Sequence, residues 1–327
     1  MKPVLLTMGD AAGIGPEICV KAACAREGGV LVGDAAVLRR ALHQCGLQRP
    51  MAVLDTLDEP APPGAVAVWQ PPGLPDGLLE LPQGQVSAAC GAAAACCIEA
   101  AVSAIQQGQG AALVTAPIHK EALHLAGSPF PGHTEMLQAL SGGAPVRMML
   151  ANTELRVVLV TVHVALREAI DLVRRERVLQ TLQIADASLR RLGLMSPRLA
   201  VAGLNPHAGE GGLFGREEIE QIAPAVLEAR QQGIDASGPF APDTVFMRAR
   251  QGAFDAVIAM THDQGLIPVK YLGLDEGVNV TLGLPFVRTS PDHGTAFDIA
   301  GQGRASEASL LAAWRMAQDF SGNSAAS

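Results

Sequence analysis

Residues 1–25, MKPVLLTMGDAAGIGPEICVKAACA, contain the unit from which the fold is read. The apolar run from Val4 to Met8 is short and stops at Gly9, as a buried strand does. A glycine-rich loop spans Gly9 to Gly15. A helical pattern then runs from Pro16 to Ala25 and opens on proline, which suits a first helical position. Further short apolar runs predict strands at Val30 to Val32, Ala65 to Trp69, Ala111 to Thr115, Met148 to Ala151, Val157 to Val162, Arg198 to Gly203, Ala256 to Met260 and Val278 to Leu282. Helical patterns lie between them, clearest at Val86 to Gln107, Arg175 to Leu192, Arg216 to Gln232 and Ser306 to Phe320. In Arg175 to Leu192 one apolar face is built by Val178, Leu179, Leu182, Ile184, Ala185, Leu189 and Leu192. Alternating strands and helices predict an α/β chain with a substantially parallel sheet. Residues 58–84 are rich in Pro and Gly and read as loops around one strand. No short repeat and no linker of biased composition marks a domain boundary.

Composition narrows the function classes. The 327 residues are 49% hydrophobic and 17% charged, which excludes a disordered chain. Aromatic residues are 3%, so the core must be Ala, Val, Leu and Ile. Lys and Arg number 24 against 32 Asp and Glu, a net charge of −8, which argues against nucleic-acid binding through a basic face. The start is too short for a signal peptide. Ala88 to Ile105 comes nearest to a membrane span, but Glu99 interrupts it, and its small residues suit close packing in a core; no membrane partner is expected. The six cysteines, Cys19, Cys24, Cys45, Cys90, Cys96 and Cys97, form no C-x-x-C pair and read as reduced structural thiols of a cytoplasmic protein.

Several predicted strands end in the same way, with an apolar run followed at once by unusual polar residues. Such ends face the ligand crevice in open parallel sheets. Three of these carry His163, His207 and His262. One histidine after a strand is usually structural; three on separate strand ends suggest metal ligands, with an open position left for a Lewis acid. Their spacing matches no local zinc motif. A second set, His133, Thr134, Lys270, Asn279 and Arg288, looks directed at an anionic ligand: Lys offers a point charge and Arg a fork. Read singly, these are equally at home as ion-pair or capping residues. The loops Gly9 to Gly15 and Gly209 to Gly215 lack both the G-x-G-x-x-G spacing and the P-loop Lys-Ser/Thr, so a standard Rossmann half is not supported.

Taken together, the motifs resemble the 4-hydroxythreonine-4-phosphate dehydrogenase family of pyridoxal phosphate biosynthesis. The matching blocks are GDAAGIGPEI from Gly9, TAPIHKEAL from Thr115, PGHTE from Pro131, GLNPHAGEGGLFGREE from Gly203, PDTVFMRA from Pro242, HDQGLIPVKYLG from His262 and NVTLGLPFVRTSPDHGTAFDIAG from Asn279. They cover nearly the whole chain in family order. The resemblance implies a two-lobed α/β/α fold like that of isocitrate and isopropylmalate dehydrogenases, with the active site in the interlobe cleft. It implies one lobe from residues 1–130 plus 270–327, carrying the cofactor loop, and another from 131–269, carrying metal ligands and dimer contacts. It assigns His163, His207 and His262 to one divalent ion per site (zinc, magnesium or cobalt). Substrate falls to His133, Thr134, Lys270, Asn279 and Arg288, and NAD or NADP to His293, Gly294, Thr295, Ala296 and Asp298. It further implies a homodimer with each site at the subunit interface, so the three metal ligands need not come from one chain.

The reaction implied is metal-dependent oxidation and decarboxylation of 4-phosphooxy-L-threonine to 3-amino-2-oxopropyl phosphate. The general base is open among Lys120, Asp243, Asp263 and a metal-bound water. The sequence departs from the family at Ala11 (usually Pro), His119 (usually Asn) and Thr261 (usually Tyr). The last two keep open a relative that acts on 4-phospho-D-threonate or 4-phospho-D-erythronate. A metal-dependent phosphate-ester hydrolase using the same histidines is a more distant alternative, against which the HGTAFDIAG block counts.

Overall fold

The computed structural model describes residues 2–273 and 276–322. Two compact units make up the chain. One runs to Ala144 and resumes at Leu284; the other is Pro145–Gly283. In chain order the first unit begins β1 (Val4–Thr7), α1 (Gly15–Ala25), β2 (Gly29–Val32), α2 (Ala35–Gln44), β3 (Met51–Leu54), β4 (Val66–Trp69), α3 (Ala88–Gln106), β5 (Ala112–Thr115), α4 (Lys120–Leu125) and α5 (His133–Leu140). The second unit holds β6 (Arg147–Ala151), β7 (Arg156–Leu159), α6 (Leu166–Leu172), α7 (Arg175–Arg191), β8 (Leu199–Ala202), α8 (Ala223–Gln231), β9 (Ala236–Phe240), α9 (Val245–Arg250), β10 (Ala256–Ala259), α10 (His262–Leu272) and β11 (Val278–Leu282). The chain returns to the first unit for β12 (Val287–Pro291) and α11 (Ala308–Phe320).

Within the first unit the strand order is β3-β4-β2-β1-β5-β12, and every neighbouring pair is parallel. Strands such as β1 and β5 are wholly buried, which is why they read as unbroken apolar runs rather than as alternation. Helix α3 packs on β1, β5 and α4. It is the one described helix long and apolar enough, by length and composition, to cross a membrane, yet Ile98, Ala101 and Val102 on it are core side chains. Helix α2 starts on Asp34, whose carboxylate accepts from the Val37 amide at 2.8 Å.

The second unit has the order β11-β6-β7-β10-β8-β9. Its β7, β10, β8 and β9 are parallel, while β6 runs antiparallel to β7 and to β11. Its core gathers Leu150, Val157, Leu159, Ala200, Val257 and Leu266. On α7 the buried face is Val178, Thr181, Leu182, Ala185, Ser188 and Leu189; Leu179, Ile184 and Leu192 lie at its margins.

Each predicted strand is present within one to three residues of its expected bounds. The unforeseen strands have physical reasons for escaping notice. β3 is a half-exposed edge, β9 contains Gly238 and Pro239, and β12 buries Arg288, Thr289 and Ser290 where a run of polar residues reads as loop. Helix α10 carries Pro268 inside it, which disguised it. The predicted helix over Arg216 to Gln232 begins instead with a single wide π turn, Glu218–Ile222. The seams fall at 144/145 and 283/284, later than the 130/131 and 269/270 expected. α5 packs on α3 and so stays with the first unit. β11 pairs with β6 over five residues, which keeps 278–282 in the second.

Gly91 lets α3 approach α4 closely: a Cβ built on it would lie 2.0 Å from the Ala122 carbonyl oxygen. An ordinary helix position gains about 1 kcal/mol from Gly to Ala. Gly91→Ala should instead destabilise by about 1–3 kcal/mol, because backbone must move. Thermal denaturation reads the sign, and a midpoint at or above that of the wild type would contradict this packing.

Candidate functional site

The parallel register of β7, β10 and β8 brings three loops to one edge of the second unit. His163 follows β7, His207 follows β8, and His262 opens α10 just after β10. Side chains tie the loops together. Thr161 Oγ1 donates to the Met260 carbonyl at 2.8 Å. Gln264 Oε1 accepts from the Met260 amide, and its Nε2 donates to the Gly203 carbonyl, both at 2.7 Å. β7, β10 and β8 are therefore cross-linked where their histidine loops begin.

His163 and His262 face each other with ring centroids 5.4 Å apart. Nδ1 of His262 lies 2.8 Å from Asp263 Oδ1, so Nε2 is the ring nitrogen that could bind a ligand. His207 packs near Phe214, with centroids 6.4 Å apart. Among the described residues of this one chain, no three His, Cys, Asp or Glu side chains come close enough to hold a metal ion. The donors suit zinc or cobalt in kind, and the chain pairs two of the three.

The loop bearing His207 is backbone of an unusual sort. His207, Ala208, Gly209, Glu210 and Gly211 all have positive φ, from 43° to 79°. Non-glycine residues there cost roughly 1–3 kcal/mol each, and such strain concentrates at functional sites. The base candidates separate. Asp243 and Asp263 line one cavity of about 620 Å³ beside Phe246, Met247, Ile267 and Tyr271. Lys120 is exposed at the start of α4 in the first unit.

In the first unit, Arg288 on β12 is 3% exposed and donates to Thr115 Oγ1 at 2.6 Å. Burial pushes its guanidinium down to about 10, still charged at neutral pH. His133, the first residue of α5, is held well below the usual histidine range by burial and then by the charge of Arg288, so its imidazole is neutral. Thr134 beside it is exposed. A buried guanidinium next to a neutral imidazole suits an anion such as phosphate. Lys270, in the last turn of α10, and the half-buried Asn279 on β11 belong to the second unit.

The segment 293–301 follows β12 and rests on the β1–α1 loop. The Ile14 amide donates to the Thr295 carbonyl at 3.0 Å, and the Gly301 amide donates to Oε1 of the fully buried Glu17. Gly13 packs closely on this segment, since a Cβ there would lie 3.0 Å from Thr295. Ala296 has φ 41°, His293, Gly294 and Asp298 are exposed, and Phe297 stacks on His119 with centroids 4.9 Å apart at 10°. Two glycine-rich blocks nearly 300 residues apart in sequence thus form one local structure. Sequence reasoning missed Glu17 and Glu218 as working carboxylates. Both were in view inside GIGPEI and FGREE, but nothing in a sequence shows which carboxylate turns inward.

The chain as a whole has close relatives. The chain is 50% identical to a 4-hydroxythreonine-4-phosphate dehydrogenase of Beijerinckia indica subsp. indica, over 95% of this chain and 93% of that one. It is 45% identical to a D-threonate 4-phosphate dehydrogenase of Salmonella typhimurium, over 98% and 99%. The crystal structure of 4-hydroxythreonine-4-phosphate dehydrogenase from Klebsiella pneumoniae superposes with a TM-score of 0.90 at 44% identity, covering 98% of each chain. The family model described as pyridoxal phosphate biosynthetic protein PdxA matches residues 26–317. With its α/β fold and full-length likeness, the chain belongs to the PdxA family.

Proposed function

We propose that the chain is an NAD- or NADP-linked dehydrogenase that oxidises 4-phosphooxy-L-threonine at its C3 hydroxyl and releases carbon dioxide, leaving 3-amino-2-oxopropyl phosphate. The observation that carries this is likeness over the full length to relatives named for that activity, together with the buried Arg288 beside the neutral His133. Arg288, with Thr115 fixing its fork, binds the substrate's phosphate, and Lys270 adds a second cation. His133, Thr134 and Asn279 hydrogen-bond the substrate. His163, His207 and His262 would hold zinc or cobalt, which would supply Lewis acidity toward the hydroxyl, and a bound nicotinamide would supply the hydride acceptor. His293, Gly294, Thr295, Ala296 and Asp298 hold that cofactor on the loop braced by Glu17. Asp263 orients His262, so the base candidates narrow to Lys120, Asp243 and a metal-bound water. The cytoplasm is the compartment this chemistry fits, and the six cysteines are free.

We place the working form as a homodimer. The second unit exposes Tyr271 (90%), Leu213 (73%) and Ile267 (64%), and among the described residues of one chain His207 does not join the His163–His262 pair in a group able to hold a metal ion. A second copy covers this apolar surface and completes each metal site, so His207 and His262 of one site come from different subunits. His207→Ala and His262→Ala should each be inactive alone. Mixed and reassembled, they should recover about a quarter of wild-type activity, because about half the dimers then carry one intact site of two. No recovery in verified mixed dimers would place both ligands on one chain.

The likeness to a D-threonate 4-phosphate dehydrogenase supports a second reading, in which the substrate carries a hydroxyl in place of the amine. Reduced-cofactor absorbance gives kcat/KM on 4-phosphooxy-L-threonine, 4-phospho-D-threonate and 4-phospho-D-erythronate in parallel. The threonine compound is expected to lead. A hundredfold deficit for it would establish the second reading.

His133 also sets a pH dependence. The unfolded chain binds a proton there near the ordinary value of 6.5, and the folded chain refuses it. Stability therefore falls as pH drops below about 6.5. His133→Gln should flatten that fall, by at most about 1.4 kcal/mol per pH unit, in denaturant melts between about pH 7.5 and 5.5. Parallel curves for the two proteins would mean that His133 protonates freely in the fold.

A further inference from the structure

The turn from His207 to Gly211 keeps five successive residues at positive φ, three of them not glycine. One carboxylate holds the strand-to-turn junction that launches it. Glu218 is 3% exposed and opens the π turn before α8. Its Oε1 accepts from the Leu204 amide at 2.8 Å and from the Asn205 amide at 2.7 Å. Its Oε2 accepts from Asn205 Nδ2 at 3.0 Å. The turn also closes around it. A Cβ on Gly209 would lie 2.7 Å from Oε2, and one on Gly203 would lie 3.1 Å from Oε1. The Asn205 carbonyl in turn accepts from the Ala208 amide at 3.1 Å. A π turn widens the helix by one residue and recurs at functional sites. Here it sets an acidic side chain beneath the residues that lead into His207.

We propose that Glu218 is a positioning residue whose buried carboxylate fixes the left-handed turn that presents His207 to a divalent cation. This rests on the metal reading above and adds to it the part that shapes the ligand loop. An apolar side chain cannot replace it, and a glutamine does so only in part: it keeps an oxygen for the Leu204 and Asn205 amides, but it loses the charge and sets an NH₂ against Asn205 Nδ2, which also donates to Glu217, so the junction loosens. His207 then samples orientations in which its nitrogen no longer points at the ion.

The test uses the full chain, with Co²⁺ titrated against its visible absorption and backbone hydrogen exchange measured over residues 204–212 without metal. Glu218→Gln should bind Co²⁺ about 10- to 100-fold more weakly, the usual effect of losing a partner that orients a ligand, and should exchange faster over 204–212. Glu220→Gln, on the same turn but exposed and paired with Arg216, should do neither. Glu218→Asp keeps the charge but withdraws it, and should show a smaller loss; it also serves if the glutamine variant does not fold. Faster exchange in Glu218→Gln with Co²⁺ affinity unchanged would overturn the proposal, as would unchanged exchange. A wild-type chain that takes no Co²⁺ would overturn it together with the metal reading. Tight wild-type binding matched by Glu218→Gln would overturn this proposal alone.

Discussion

Hydrogen bonding between parallel strands aligns the carboxyl ends of β7, β10 and β8, and the site edge of the second unit depends on that alignment. Parallel pairing sends each chain away from the same edge, so three loops must start side by side. Backbone pairing alone would leave those loops free to splay. Thr161 and Gln264 prevent this by spending side-chain hydrogen bonds on neighbouring strand ends rather than on water. The loops therefore inherit the rigidity of the sheet, which a site needs if its ligands are to be held before a substrate arrives.

The left-handed turn shows what that rigidity costs and how it is offset. Three strained non-glycine residues cost roughly 1–3 kcal/mol each. Three hydrogen bonds to the Glu218 carboxylate contribute roughly 1.5–3 kcal/mol each, which is the same scale. The first unit repeats the device. Glu17, fully buried, accepts from Gly301 at the far end of the segment 293–301, while Ile14 holds its near end at Thr295. In both units a buried carboxylate from a helical turn fixes backbone donors of a loop whose own sequence is too rich in glycine to fix itself.

This explains what could be read in the sequence and what could not. Strand ends were legible because a fully buried parallel strand is an unbroken apolar run, and its end is abrupt: Val4 to Met8, then Gly9. The histidines were legible because nothing apolar competes for those positions. β12 was not legible, since Arg288, Thr289 and Ser290 are polar and the partners that accept them, Thr115 on β5 and the Ala313 carbonyl on α11, are distant in sequence. α10 was hidden by Pro268, and the π turn by a helical pattern that is blind to one inserted residue. The roles of Glu17 and Glu218 were hidden because burial of a charge is a tertiary fact.

The two sequence departures beside the site come apart once their surroundings are known. His119 had looked like a change near Lys120 that bears on substrate choice. Its ring instead lies flat on Phe297 in the segment 293–301, within the first unit. An imidazole there packs its face on Phe297 and so helps to support that segment. Thr261 is different. It directly precedes His262, caps no backbone group of α10 with its side chain, and is half-buried. A threonine there is smaller than the tyrosine the family resemblance leads one to expect, and it lacks that residue's phenolic hydroxyl. The amine and hydroxyl forms of the substrate differ at a single polar group, and a pocket that bonds such a group can discriminate by about 10⁴ or more, whereas one that merely leaves space discriminates far less.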